Sequence, residues 1–205
     1  MGFKLLLATR NKGKIEEFRR ILDAIAPQEI ELLGLEDFPN AHEVEETGST
    51  FEENALLKAQ QMCTATGVAA IADDSGLCVD YLNGAPGIFS ARWAGEHGND
   101  EANTAKVLEE LSQVPSGARG ARFTCAAALA LPTGQTVIQT AHFEGDILFS
   151  PKGENGFGYD PIFQPLGYSV SSAQLSAHEK DAISHRGKAL RAIAPDVIKA
   201  LKSLG

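Results

Sequence analysis

The N-terminal part of the chain alternates short apolar runs with a stretch of helical periodicity, and this alternation restricts the possible folds more than any other feature. Residues 3–8 and 30–33 are short apolar runs, which predict buried strands. Between them, residues 12–25 carry apolar side chains at the spacing of one helix face. Strands that alternate with helices are typical of an α/β protein.

A second helix is predicted over residues 50–66. Thr50 and Glu53 have the spacing of a capping box, and Gly67 is a residue type that commonly ends a helix. Beyond it, residues 68–72 and 77–82 are two short apolar runs that predict two strands.

The rest of the chain predicts a hairpin between further helices. Residues 122–131 and 136–149 are typical of a long antiparallel hairpin. Helices are predicted over residues 99–111 and 181–204, the latter with a kink or break at Pro195. We therefore expect an α/β fold with a mixed, twisted central sheet flanked by helices, and two lobes with a deep substrate cleft between them.

Length and composition indicate how many domains the chain forms and exclude some classes of function. Without a repeat or a linker, residues 1–205 are expected to form a single domain. Lys and Arg number 18 against 27 Asp and Glu, and the formal net charge of −9 argues against a non-specific nucleic-acid binder. No apolar stretch is long enough to span a membrane, and Arg10 comes too early for a signal peptide. We expect a cytoplasmic protein that binds neither nucleic acid nor membrane, with three buried thiols.

A loop between the first predicted strand and helix is the first candidate site. Backbone N–H groups at a helix N-terminus bind phosphate well. Glycine lets a ligand approach the backbone, and lysines add positive charge. The loop therefore predicts phosphate binding, with a solvated turn and incidental lysines as the alternative. Its residues are Thr9, Arg10, Asn11, Lys12, Gly13 and Lys14.

Two adjacent carboxylates, Asp73 and Asp74, lie in an apolar context. Neighbouring residues of a strand point to opposite faces, so one can face a site while the other anchors the backbone. A carboxylate at the end of a strand can bind Mg²⁺ or orient a water, whereas a tight turn is the alternative. One residue of the acidic stretch Glu43, Glu45 and Glu46 could complete a Mg²⁺ site with Asp74, although such stretches are usually solvated.

Two later segments carry groups that suit a nucleobase. Residues 153–160 place Phe157 and Tyr159 among three glycines, and such a ring can stack on a base. Residues 178–186 concentrate one lysine, two histidines and one arginine, which donate hydrogen bonds to a base carbonyl or to phosphate. The alternatives are rings packed in the core and a charged surface cluster.

Seven motifs occur in order along nearly the whole chain, and together they resemble the inosine/xanthosine triphosphate pyrophosphatase family. They are Thr9-x-Asn11-x-x-Lys14; Glu45-Glu46-Thr47-Gly48-x-Thr50-Phe51-x-Glu53-Asn54-Ala55-x-x-Lys58-Ala59; Ala72-Asp73-Asp74-Ser75-Gly76-Leu77; Gly84-x-Pro86-Gly87; Ser90-Ala91-Arg92; Gly156-Phe157-Gly158-Tyr159-Asp160-Pro161; and Lys180-x-x-x-Ser184-His185-Arg186.

The resemblance implies a Mg²⁺-dependent enzyme, usually a homodimer, that hydrolyses dITP, ITP and XTP to the monophosphate and pyrophosphate. It implies that Asp74 accepts the proton of the attacking water and binds the metal together with Glu46. Since an ordinary aspartate is a weak base, we expect the metal to do most of the activation. The implied phosphate contacts include Thr9, Asn11, Lys14 and Lys58, with Ser75 as a further substrate contact; the implied base contacts are Phe157, Gly158, Tyr159, Asp160, Lys180, His185 and Arg186.

Three other functions remain open. A non-catalytic nucleotide sensor would not need Asp74 beside a metal. A related pyrophosphatase class acts on modified pyrimidine nucleotides, and residues 157–160 together with residues 184–186 favour the purine class instead. A structural or interaction protein would turn over no triphosphate.

Overall fold

The computed structural model describes residues 2–25, 30–42 and 44–203. The chain forms two compact units. Unit 1 comprises Met1–Asp74, Cys125–Ala141 and Arg186–Gly205, and unit 2 comprises Ser75–Thr124 and His142–His185. The cleft predicted from the sequence stays a prediction.

One mixed sheet contains the six strands of the described residues. They are β1 Phe3–Leu7, β2 Ile30–Leu33, β3 Ala70–Val79, β4 Gly120–Ala130, β5 Thr136–Ile147 and β6 Phe163–Pro165, in the order β2-β1-β3-β4-β5-β6. β1 is parallel to β2 and β3, whereas β6 is antiparallel to β5. β4 and β5 form a hairpin closed by a hydrogen bond from the N–H of Leu131 to the carbonyl of Gln135. The predicted α/β class with a mixed sheet is confirmed.

Five α-helices occur in the same described ranges. They are α1 Lys12–Ile25, α2 Phe51–Thr66, α3 Asp100–Glu110, α4 Ala177–Ile183 and α5 His185–Lys202. The Thr50 side chain accepts a hydrogen bond from the N–H of Glu53, and Gly67 ends α2 at φ 71°. Local capping chemistry thus predicted the bounds of α2 correctly.

β3 corrects the sequence prediction of two strands flanking a turn. The strand runs without interruption through Asp73, Asp74, Ser75 and Gly76. Position 76 requires glycine for steric reasons, because a Cβ there would lie 2.3 Å from the carbonyl oxygen of Gly87. The carboxylates therefore lie in the middle of a strand and not at its end, and the alternative of a tight turn is wrong.

The C-terminal helix also differs from its prediction. The break falls at Ser184, whose ψ of 158° is extended, and α5 continues through Pro195. α4 begins earlier than predicted because Ser176 and Glu179 form a reciprocal capping box. Residue 204, the predicted end of this helix, lies outside the described residues.

Each unit has its own apolar core. In unit 1, side chains of α1, α5, β1, β3 and β4 pack together, and Phe18, Leu190 and Ile193 are fully buried. In unit 2, Phe123 and Phe163 pack with centroids 4.7 Å apart. Burial of this size is the main source of stability in a chain of this length.

Two expectations from composition can be compared with the structure. The three cysteines are buried as free thiols, as predicted. Within residues 2–25, 30–42 and 44–203, no helix combines the length and the apolar composition that a membrane crossing requires.

Candidate active site

The loop after β1 is ordered by its own side chains. Thr9 Oγ1 accepts a hydrogen bond of 3.2 Å from the N–H of Asn11, and Asn11 Oδ1 accepts one of 3.0 Å from the N–H of Lys14. Asn11 thus caps the N-terminus of α1. Arg10 and Lys12 are exposed, and Gly13 is half-buried. The predicted phosphate loop therefore presents a capped helix N-terminus with cationic side chains around it.

Asp73 anchors the ammonium group of Lys14. Lys14 Nζ lies 3.1 Å from Asp73 Oδ2, and Arg186 Nε and Nη2 each donate to the same oxygen at 3.2 Å. Burial opposes the charge of Asp73, but Lys14 and Arg186 outweigh it and hold its pKa well below the ordinary value. Asp73 is therefore an ionised anchor.

Arg186 lies in unit 1 and is almost fully buried. Besides Asp73, its Nη1 donates to Glu17 Oε2 on α1. Burial alone would lower the pKa of Arg186, but Asp73 and Glu17 raise it. The base contact predicted for Arg186 stays a prediction, and the structure gives this side chain two carboxylate partners.

Lys58, on α2, lies close to two carboxylates. Its Nζ donates to Glu46 Oε1 at 2.6 Å and lies 3.6 Å from Asp74 Oδ1. Burial would lower the pKa of Lys58, yet the charges of Asp74, Asp73 and Glu46 raise it above the ordinary value. Lys58 is therefore protonated between two carboxylates.

Asp74 is oriented by Asn54. Asn54 Nδ2 donates to Asp74 Oδ2 at 3.0 Å, and Asn54 Oδ1 accepts a 2.8 Å hydrogen bond from the N–H of Gly48. Burial raises the pKa of Asp74 above the ordinary value, against the lowering effect of Lys58. This carboxylate is therefore a stronger proton acceptor than the ordinary aspartate assumed in the sequence analysis.

Glu46 and Asp74 fit a Mg²⁺ ion by their donor chemistry. Both are carboxylates, which Mg²⁺ prefers, and both already face one cation, Lys58. Among the described residues, no three His, Cys, Asp or Glu side chains are grouped as a metal site. Two carboxylates suffice, because Mg²⁺ keeps several waters and binds substrate phosphates. Glu45 is exposed, and Glu43 lies outside the described residues.

In unit 2, Asp160 organises the glycine-rich segment. Asp160 Oδ2 accepts hydrogen bonds from the N–H of Phe157 at 3.0 Å and from Lys180 Nζ at 2.5 Å. Lys180 Nζ also lies 5.0 Å from the centroid of the Phe157 ring. Gly156 has φ 76°, and a Cβ there would lie 2.1 Å from Asp160 Oδ2, so only glycine fits.

The two residues that follow Phe157 are anchored in unit 2. Tyr159 is buried in the core, and its hydroxyl donates to the carbonyl of Ser90 at 2.8 Å. The N–H of Gly158 donates to Asp100 Oδ2 at 2.8 Å. The interpretation of a ring packed in the core thus describes Tyr159, whereas Phe157 is half-buried.

The remaining predicted contacts lie in unit 2 as well. The His185 ring stacks on Phe123, with centroids 4.9 Å apart and 11° between the planes. Ser75 directly follows Asp74 in β3 and is half-buried. Unit 1 thus gathers the predicted phosphate and metal residues, and unit 2 gathers most of the predicted base residues.

Sequence reasoning assigned no role to three residues that orient these groups. Asn54 lies inside one of the seven motifs, but the sequence alone does not show which group its amide binds. Glu17 sits on the buried face of α1, where a carboxylate requires a cation, and this was a usable signal. Asp100 lies in the first turn of α3, where acidic residues are common, so its sequence position does not indicate a specific partner.

A mixed sheet in an α/β fold, a capped helix N-terminus beside lysines and a nearby pair of carboxylates are features typical of α/β proteins that bind phosphate groups. The model of the Ham1 family matches residues 5–196, which is most of the chain. The chain belongs to the Ham1 family, and the family resemblance found in the sequence is confirmed.

Relatives and solved structures agree with this assignment. The dITP/XTP pyrophosphatase of Streptomyces coelicolor is 55% identical over 199 residues, which cover 97% of this chain and 98% of the relative. A crystal structure of nucleoside-triphosphatase / dITP/XTP pyrophosphatase from Mycobacterium abscessus has a TM-score of 0.76 at 49% identity and covers 95% and 99% of the two chains. A HAM1 protein from Coxiella burnetii has a TM-score of 0.86 at 40% identity, with 96% and 99% covered.

Proposed function

We propose that this protein hydrolyses the non-standard purine nucleotides dITP, ITP and XTP to the nucleoside monophosphate and pyrophosphate. The observation that carries the proposal is the convergence of Glu46 and Asp74 on Lys58 in a member of the Ham1 family. The 55% identity to the dITP/XTP pyrophosphatase of Streptomyces coelicolor supports the same reaction. Such an enzyme removes deaminated purines from the nucleotide pool.

Lys14 and Lys58 bind the triphosphate and neutralise the departing pyrophosphate. The first turn of α1 adds N–H groups to this site. Asp73 holds the ammonium group of Lys14 before substrate arrives, and Glu46 and Asp74 hold that of Lys58. The two lysine side chains keep 15% and 13% of their surface exposed. Charges fixed in advance stabilise a transition state more than mobile ones do.

Glu46 and Asp74 would hold the Mg²⁺ ion. When bound, the ion supplies Lewis-acid polarisation of the phosphate oxygens. Lys58 places a positive charge beside both carboxylates and so reduces their mutual repulsion.

Asp74 accepts the proton of the water that attacks the α-phosphate. Burial raises its pKa above that of an ordinary aspartate, which makes this carboxylate a better proton acceptor. The hydrogen bond from Asn54 fixes the rotation of the carboxylate, so that the accepting oxygen keeps one direction.

The base is recognised mainly by residues of unit 2, together with Arg186 of unit 1. Hypoxanthine and xanthine carry the acceptor O6 where adenine carries an amino donor, so donors aimed at O6 lose a partner when adenine binds. Lys180, His185 and Arg186 are the proposed donors, and the half-buried ring of Phe157 stacks on the base. The contact of Lys180 with the Phe157 ring supports this role of Lys180.

We further propose that the protein acts in the cytoplasm as a homodimer. Unit 2 exposes several large apolar side chains, which a dimer interface would cover: Tyr81, Phe89, Phe149, Leu166 and Tyr168. Light scattering on the purified protein checks the assembly, with twice the mass of 21.8 kDa as the expected result.

The activity is tested by pyrophosphate release from ITP, dITP, XTP, ATP, GTP, CTP and UTP, with Mg²⁺ and with EDTA. We expect strong preference for ITP, dITP and XTP, and loss of turnover in EDTA. Binding of ITP without turnover would identify a nucleotide sensor instead. Preference for pyrimidine nucleotides would place the protein in the related pyrimidine class, and no binding of any triphosphate would overturn the proposal.

A further inference from the structure

Four side chains of unit 1 alternate in charge across the interior. Glu17 Oε2 accepts from Arg186 Nη1, and Arg186 donates in turn to Asp73 Oδ2 at 3.2 Å. The same oxygen of Asp73 lies 3.1 Å from Lys14 Nζ. Two anions and two cations thus form a neutral row that runs from the buried face of α1 to the phosphate loop.

Side-chain exposure is highest at the Lys14 end of this row. The side chains of Asp73, Arg186 and Glu17 are 0%, 2% and 5% exposed, whereas that of Lys14 is 15% exposed. A charge at the buried end is poorly screened by water, so its effect reaches along the row. Lys14 is the most exposed of the four side chains, so a buried charge in the row can influence a bound phosphate group through Lys14.

Arg186 and Lys14 share one carboxylate oxygen. As long as Glu17 is ionised, Arg186 divides its attraction between two carboxylates. Without the charge of Glu17, Arg186 would lose one of these two carboxylate partners and would draw more strongly on Asp73. Lys14 would then lose part of its hold on Asp73 and with it a fixed position.

We propose that Glu17 is a positioning residue for the phosphate site, acting through Arg186 and Asp73 on the ammonium group of Lys14. The ligand end of this inference, Lys14 on the triphosphate, rests on the proposed function. Glu17 itself touches no substrate. A purely structural role of Glu17 would tie α1 to α5 and leave the affinity for phosphate groups unchanged.

Calorimetric titration with pyrophosphate and Mg²⁺ separates the two roles without requiring turnover. Glu17→Gln removes the charge and keeps the shape, and we expect its pyrophosphate Kd to rise about tenfold. Glu16→Gln is the matched control, because Glu16 is the exposed neighbour on the same helix, and we expect a wild-type Kd.

Glu17→Asp keeps the charge but reaches less far towards Arg186, so its pyrophosphate Kd should lie between those of wild type and Glu17→Gln. This variant decides the matter if Glu17→Gln does not fold. A wild-type Kd in a folded Glu17 variant, or no pyrophosphate binding by the wild type, would overturn the inference. Failure of the wild type to hydrolyse dITP would overturn the proposed function and leave the titration series readable.

Discussion

Asn54 Nδ2 lies 3.0 Å from Asp74 Oδ2, and this hydrogen bond joins the first turn of α2 to the middle of β3. It is buried, and the other end of the amide is fixed by the N–H of Gly48. The proposed proton acceptor therefore has its orientation set by a neutral side chain, which adds no charge to the proposed metal site.

Asp74→Asn should abolish turnover and leave the fold intact. The amide can neither accept the proton of water nor supply a negative ligand, so we expect kcat for dITP to fall by about 10³-fold. Asp23→Asn, an exposed aspartate of α1, is the control and should keep wild-type kinetics. A folded Asp74→Asn variant with near-normal kcat would contradict the assignment.

Asn54→Ala should impair the same step through orientation alone. Loss of a residue that orients a metal-binding carboxylate commonly reduces activity by roughly 10–100-fold. We expect that reduction in kcat, with circular dichroism unchanged. The exposed Asn40→Ala is the comparison variant, and equal kinetics in the two variants would remove the orienting role from Asn54.

Gly156→Ala should damage base recognition. Alanine at φ 76° is strained, and its Cβ would push on Asp160, which holds both Phe157 and Lys180. Gly167→Ala is a matched control, because Gly167 has φ 83° but open space at its Cβ. We expect kcat/KM for dITP to fall at least about tenfold in the first variant only. Similar losses in both variants would point to general strain.

The capping box of α4 should make stability depend on acid pH. Hydrogen bonds from Ser176 lower the pKa of Glu179 from its ordinary value of 4.5. A lowered carboxyl pKa stabilises the fold above the ordinary value, and the contribution is lost as the pH falls through the folded one. The Tm difference between wild type and Glu179→Gln should therefore close as the pH drops from about 5 to 3. The exposed Glu109→Gln serves as control, and a gap independent of pH would contradict the pairing.

Local chemistry made much of the fold predictable. α1 and β2 follow their apolar spacing, and α2 follows its two caps. β3 was not predictable in the same way, because Asp, Ser and Gly favour turns locally. Their strand conformation depends on distant partners, such as Lys14 for Asp73, and tertiary contacts of that kind leave no local signal.

The site was predictable in its residue types more than in its connections. Motif spacing identified Lys14, Lys58 and Asp74. It did not reveal that Arg186 pairs with Asp73 across 113 positions of sequence. Such pairs are set by packing, and a single sequence shows only that a buried charge needs a partner.

The central claim is that water attacks the α-phosphate, and hydrolysis of dITP in ¹⁸O-labelled water tests it most directly. Attack there breaks the bond between the α- and β-phosphates and places one ¹⁸O atom in the monophosphate. We predict labelled dIMP and unlabelled pyrophosphate in equal amounts, read by mass spectrometry. Label in pyrophosphate, or release of inorganic phosphate with dIDP, would contradict the account.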